Sequence, residues 1–293
     1  MAKDGSQIAL AVPIQSLADF VGRVQPLLAQ SIFSPANWQD PSFSGDVYPK
    51  FQSPPSSDGL NHRLPDPPDV QALRNNAQLL AQNMRDFVAI QTFAWGSGNK
   101  KPAAEAAYEI QVIDGYQRFR EYPDGKKELD DVPLPWLNTA MSTGGEWSEI
   151  PALVGTQLKL KIHEADGMIV NGSPVKVFQY RADAKDGVCR FKSILDFGFF
   201  ATSKIATVAC YGEVWTDQDM NIRRMSEHFD LPGKWKNYEA VVTYDWVRWP
   251  SQAPRLVPFT ISAQTEYKGK VYWCRGRFMN YRLFVNEVKF AQN

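Results

Sequence analysis

The sequence predicts an α+β fold: a large curved antiparallel β-sheet, an open or half barrel, with a helix packed on its apolar concave face. Three observations carry this. Over residues 237–290 apolar and polar residues alternate. Tyr238, Ala240, Val242, Tyr244 and Trp246 fall on one side, with Glu239, Thr243 and Asp245 on the other. After a turn at residues 250–254 the pattern resumes, with Val257, Phe259, Ile261, Ala263 and Tyr267 set against Thr260, Ser262, Gln264 and Glu266. Successive side chains of a strand point to opposite faces, so this period of two marks strands with one buried face. Second, short strand-like runs separated by turn signals recur from residue 88 onward, roughly ten or more in all. Third, residues 69–87 carry one apolar helical stripe.

Along the chain, residues 13–30 form an amphipathic run of Leu17, Phe20, Val21, Val24, Leu27 and Leu28, kinked by Pro26. Residues 31–68 hold eight of the twenty prolines among Ser, Asp and Gly, a composition that reads as an extended linker or surface wrap. This divides the chain into an N-terminal segment, 1–68, and a curved-sheet domain, 69–293. In the helix of 69–87, Val70, Leu73, Ala77, Leu80, Met84 and Phe87 recur every three or four residues, while Arg74, Gln78, Gln82 and Arg85 take the other side. Strands follow at 88–95, 105–113 and 116–122, with Asp114-Gly115 a hairpin turn. A short helix is expected at 146–154 after Ser142-Thr143-Gly144-Gly145. Leu158, Leu160 and Ile162 then alternate with Lys159 and Lys161. Asn171-Gly172 turns into 175–180, and strands at 188–194, 205–215 and 220–229 complete a meander that must curl because sheet twist accumulates.

Composition bounds the function. Hydrophobic residues at 44% and aromatics at 13% suffice for a sizeable core. Thirty-two basic residues balance thirty-two acidic ones, which removes the main electrostatic argument for nucleic acid or an anionic membrane. There is no apolar run of about eighteen residues that would form a transmembrane span. Of three cysteines, Cys189 and Cys210 flank a hairpin centred near Phe199, where they would face each other across the strands. A disulfide there would close a loop of about twenty residues and contribute roughly 3 kcal/mol. The alternative is three buried thiols in a cytosolic protein. The start at Met1 lacks a signal peptide, which fits either a cytoplasmic chain or a mature one.

Candidate chemistry is sparse. His62, His163 and His228 lie far apart, with no Cys or His at metal-ligand spacing, so neither a metal site nor a cofactor is expected. The run Asp217 to Asn221 resembles the start of a calcium loop but has Ile222 where Gly belongs and His228 where the bidentate Glu belongs, so it reads as a hairpin turn. Ser142-Thr143-Gly144-Gly145 lacks the context of a phosphate loop. Carboxylates are scattered, and no pair among them suggests acid-base work. The basic and aromatic run Tyr272, Trp273, Arg275, Arg277, Phe278, Tyr281 and Arg282 could stack bases, but it departs from the RNA-recognition signature and also suits an ordinary exposed sheet face.

Several stretches together resemble a family of uncharacterised bacterial exported domains. They are Gln111-Val112-Ile113-Asp114-Gly115-Tyr116, Gly144-Gly145-Glu146, and the run from Val170-Asn171-Gly172 to Tyr180. Gly212-Glu213-Val214-Trp215-Thr216-Asp217 leading to Ile222-Arg223-Arg224 belongs with them, as does Arg277-Phe278-Met279-Asn280-Tyr281-Arg282. The resemblance covers roughly residues 70–290. It implies a layout like the LolA/LolB lipoprotein carriers and receptors, a curved antiparallel sheet with helices over its concave face, and a periplasmic or secreted location. These motifs are turns and strands, and they transfer no binding residues.

The expectation is therefore a non-catalytic envelope protein, not an enzyme. It would bind a lipid, acyl chain or other apolar ligand between sheet and helix, lined by Tyr244, Trp246, Phe259, Ile261, Leu80 and Met84. The alternative is a structural or interaction domain that engages an envelope protein partner through its proline-rich segment or an open sheet edge.

Overall fold

The computed structural model describes residues 30–31, 65–98, 101–123, 128–129, 145–196, 201–231, 233–249 and 252–282. Outside them lie the amphipathic run before Gln30, the proline-rich stretch up to residue 64, His62, residues 142–144, Phe199 and the chain after Arg282. The elements are β1 (Gln30–Ser31), α1 (Pro68–Asn83), β2 (Phe87–Ser97), β3 (Ala104–Ile113), β4 (Tyr116–Glu121), β5 (Glu128–Leu129) and α2 (Glu146–Thr156). They continue with β6 (Lys161–Val170), β7 (Ser173–Ala182), β8 (Cys189–Asp196), β9 (Ala201–Thr216), β10 (Ile222–Asp230), β11 (Trp235–Arg248), β12 (Arg255–Tyr267) and β13 (Lys270–Arg282).

The expected α+β half barrel is present as one open antiparallel sheet in the order β5-β4-β3-β2-β13-β12-β11-β10-β9-β7-β6. β8 pairs with β9 off this path, and β1 pairs with the end of β11. The path is not the simple meander expected. Two meanders, β2–β5 and β6–β13, meet at β2 and β13, where Trp95 faces Cys274 and Gln91 faces Phe278. Adjacency in sequence reveals hairpins, whereas this seam joins distant strands. The one local clue is that Phe87, Val88, Ala89 and Ile90 are all buried, as suits a strand in the middle of a sheet. The hairpin turns read at Asp114-Gly115 and Asn171-Gly172 are there: Asp114 and Gly115 have φ of 51° and 84°, and Asn171 and Gly172 have 50° and 78°. Two successive positive φ values match the twist of the flanking strands.

Helix α1 starts with Pro67 and Pro68, whose missing N–H groups cost nothing in a first turn, and Asp69 complements the helix dipole there. It ends earlier than the stripe suggested. Met84 is its C-cap and Phe87 opens β2, because the run after Asp86 is taken into a ladder with β3 and β13. Leu158 likewise sits exposed in a turn and β6 begins only at Lys161, after the buried Leu160.

Helix α2 runs antiparallel to α1 and is fitted to it by two devices. A Cβ on Gly155 would stand 2.6 Å from the backbone N of Gln78, so only glycine permits this approach. Arg74, expected on the polar side of α1, is instead 2% exposed. It donates to the carbonyls of Val154 (2.9 Å), Gln157 (3.1 Å) and Leu160 (2.8 Å) and pairs with Asp66 at 2.6 Å. Those carbonyls at and beyond the last turn of α2 have no helical donors of their own. Pro151 inside α2 removes the N–H that would have bonded the Trp147 carbonyl, and Tyr244 Oη of β11 donates to that carbonyl at 2.9 Å instead. The sheet thus repairs a defect in the helix that covers it.

Close packing between strands is most acute at Gly212 of β9, which lies opposite Tyr180 of β7 and Glu227 of β10. A Cβ there would stand 2.7 Å from the Tyr180 ring and would collide with the Ser226 carbonyl, which accepts the Tyr180 hydroxyl at 2.8 Å. Gly212→Ala is expected to lower stability by roughly 1–3 kcal/mol through overpacking, read as a drop in the urea midpoint. An unchanged midpoint would show that the strands part without strain.

Candidate functional site

A single apolar cluster fills the space between the sheet and the two helices. Leu80 and Met84 from α1, Tyr244 from β11 and Ile261 from β12 all belong to it, each 3% exposed or less. Phe87, Trp147, Phe278 and Tyr281 interlock beside them, with Phe87 edge-on to Trp147 at 5.3 Å between ring centroids. The remaining two residues expected to line this space, Trp246 and Phe259, lie elsewhere. Thr243 pairs with Thr260 but Tyr244 pairs with Pro258, so Phe259 is an extra residue in β12 and the even alternation breaks there. Phe259 is half-buried beneath the Arg277 guanidinium, 4.9 Å from the ring centroid. Trp246 is half-buried too, and neither residue packs on the cluster. A bulge is invisible to strict alternation, which carried Phe259 to the wrong face; on β11 the alternation also breaks after Tyr244, where Val247 and not Trp246 joins the cluster.

The helices leave an opening at one end. Arg74 and Gly155 hold them together near the C-terminus of α2. Toward the other end a cleft of about 310 Å³ runs between α1, α2 and the turn at Gly115. Met84 and Trp147, both members of the buried cluster, form part of its wall, together with Arg85 and Glu149. Inside, the indole N–H groups of Trp95, Trp147 and Trp249 are buried without a hydrogen-bond acceptor among the described residues. Each such donor carries a desolvation cost that an acceptor would relieve.

A second feature, absent from the sequence reading, is an acidic node under α2. Glu227 of β10 is 8% exposed, flanked by Gly212 and Ala240 on the neighbouring strands, and its carboxyl group has no hydrogen bond or ion pair among the described residues. Burial pushes its carboxyl up to about 8, helped by the nearby charges of Glu146 and Glu149 on α2. Glu149 is raised by burial as well. Tyr238 Oη donates to Glu146 at 3.4 Å, and burial holds the phenols of Tyr180, Tyr238, Tyr244 and Tyr281 well above their ordinary range. The clue available in sequence was Met225, Glu227 and Phe229 at period two, a carboxylate within an apolar register.

Glu227 lies within 4.8 Å of the sulfurs of Cys189 and Cys210. Those two cysteines are joined as a buried disulfide with Cα atoms 6.0 Å apart, so the trio is a carboxyl beside a cross-link and not a thiolate metal site. Cys274 is buried and outside the disulfide. Reducing the bond in solution is expected to lower stability by about 3 kcal/mol, judged from the loop it closes, with thermal melts with and without reductant as the check.

His228 sits on the other face of β10, ring-stacked on Tyr211 at 5.0 Å, with Glu239 at 3.9 Å; burial lowers its pKa. These three residues occupy one cross-strand row, away from the cleft between the helices. Asp217 accepts from the backbone N–H groups of Asp219 and Asn221, which makes the Asp217 run the hairpin turn expected. Among the described residues, no helix is long and apolar enough to cross a membrane.

No protein-family model and no curated protein matches this sequence. Among solved structures, the chain is similar to a LolA superfamily protein from Nitrosomonas europaea, with 11% identity, a TM-score of 0.37, and coverage of 76% of this chain and 97% of that one. It is similar also to a putative outer membrane lipoprotein-sorting protein domain from Vibrio parahaemolyticus, with 12% identity, a TM-score of 0.39, and 75% and 94% coverage. A third is the lipoprotein LppX of Mycobacterium tuberculosis, with 13% identity, a TM-score of 0.26, and 75% and 99% coverage.

Proposed function

We propose that the protein is a non-catalytic binder of a lipid or other acyl-chain ligand, held between the curved sheet and the helix pair in an envelope compartment. The observation that carries this reading is the cleft between α1 and α2, whose wall includes Met84 and Trp147 of the buried cluster. Widening that cleft would bring an apolar chain onto Leu80, Tyr244 and Ile261 without disturbing the Arg74 clamp at the far end. Burial of an acyl chain there is favourable by about 0.8 kcal/mol per methylene. The unmatched indole N–H of Trp147, on the wall of that cleft, favours a ligand with acceptor oxygens, such as an ester, over a plain hydrocarbon. The buried disulfide supports a periplasmic or secreted location, where such bonds persist.

Native mass spectrometry and organic extraction of the purified protein test the reading. A bound acyl species is expected at one per chain, and Met84→Trp, which would fill the cleft, should reduce it. Repeated recovery of ligand-free protein, with no uptake of a fluorescent fatty acid, would favour the packed core as a scaffold for a protein partner instead.

A further inference from the structure

The outer face of the sheet carries a second concavity, of about 600 Å³, across β12, β13, β2 and β3. Its residues fall into two cross-strand rows set by the pairing. Arg275 faces Ala94, which faces Glu105; one step along, Arg277 faces Thr92, which faces Ala107. The small side chains of Ala94 and Ala107 leave a floor, with two guanidinium groups on one bank and a carboxylate on the other. Two strand spacings separate Arg275 from Glu105, about 10 Å between Cα atoms. Both arginines are held in place by aromatic rings: Arg275 lies 4.6 Å over Trp273 and Arg277 lies 4.9 Å over Phe259. Trp273 is itself fixed, since its Nε1 donates to the Gly98 carbonyl at 2.9 Å and its ring covers Gly96. Among the described residues, Arg277 and Glu105 have no ion-pair partner, although both are exposed to the same hollow.

We propose that this hollow binds a zwitterionic phosphoethanolamine group, its phosphate on the Arg275–Arg277 bank and its ammonium on Glu105. The Arg277 guanidinium, stacked on Phe259 and without an ion-pair partner among the described residues, presents an N–H edge that matches a phosphate in bidentate geometry, and Arg275 adds positive charge beside it. Glu105 gives the site its discrimination, because it repels a bare anion and attracts one that carries a cation. A single-stranded nucleic acid suits the hollow poorly. The faces of Trp273 and Phe259 are already covered by arginine, so no ring is left for a base to stack on, and Glu105 opposes a polyanion. This site is separate from the interior between sheet and helices and stands or falls without it.

The test titrates the full chain with O-phosphoethanolamine and with inorganic phosphate by calorimetry, and sediments it with phosphatidylethanolamine vesicles. Phosphoethanolamine is expected to bind at least about tenfold more tightly than phosphate, a step of 1.4 kcal/mol. Glu105→Gln should erase that preference, and Arg277→Ala should weaken phosphoethanolamine about tenfold or more. Arg277→Lys keeps the charge without the fork and should give a smaller loss, which preserves the test if the alanine variant folds poorly. Vesicle binding that Arg277→Lys weakens assigns the group to a lipid, whereas binding of only the soluble compound assigns it to a free metabolite. The proposal is overturned by no binding, by equal affinity for phosphate with no effect of Glu105→Gln, or by an oligonucleotide that binds more tightly through Arg277.

Discussion

Replacing Arg74 by methionine is expected to remove roughly 3–5 kcal/mol of stability, the largest loss from any single side chain between the helices. The side chain is 2% exposed, and its guanidinium ties together Asp66, the end of α2 and the turn at Leu160. Methionine fills much of the same volume, so packing changes little. What changes is that the buried carbonyls of Val154 and Leu160 lose their charged donor while remaining out of water, and an orphaned buried acceptor such as that of Val154 costs about 1–3 kcal/mol. Arg74→Lys keeps the charge but presents a point in place of a fork, and should lose about half as much. Urea unfolding at constant m-value measures both. A loss for Arg74→Met below about 1 kcal/mol would mean that water reaches the end of α2.

The second large effect depends on pH. Glu227 has an ordinary carboxyl value of 4.5 raised to about 8 by burial and by Glu146 and Glu149. Below pH 4.5 both the folded and unfolded chains hold its proton, and the carboxyl does not bias folding. Between 4.5 and about 8 the unfolded chain releases the proton while the folded chain retains it, so stability declines as pH rises through that window and levels off above it. The full span is on the order of 5 kcal/mol. Glu227→Gln is expected to melt with the parent at pH 4.5 and to outlast it at pH 9 by roughly 10 °C. Parallel curves for the two proteins across that range would place the titrating group elsewhere.

Much of this fold was legible in the sequence because strands with one wet face advertise their period. The hairpin turns at Asp114-Gly115 and Asn171-Gly172, the stripe Val70, Leu73, Ala77, Leu80, and the disulfide between Cys189 and Cys210 all follow from local rules, although Cys189 lies opposite Val208 and not directly across from Cys210 as expected. Three features escaped, each for a physical reason. The bulge at Phe259 needs the partner strand to define it, since it is a mismatch of two registers. Arg74 looks like a surface residue by its type, and only the arrival of α2 turns its fork inward. Glu227 has a legible register, yet the expectation that carboxylates face water overrode it. The candidate interior was half visible: Leu80, Met84, Tyr244 and Ile261 do converge, whereas the cleft at Met84 and Trp147 depends on how two helices meet.

The seam between β2 and β13 has a consequence for biosynthesis. During translation β2 emerges early, but the strand that completes its ladder is among the last described residues to leave the ribosome. Until then an apolar strand stands with one margin of peptide groups unmatched, a template for adhesion between nascent chains. Closure across 185 residues is entropically slow, which lengthens the interval in which that margin stays open.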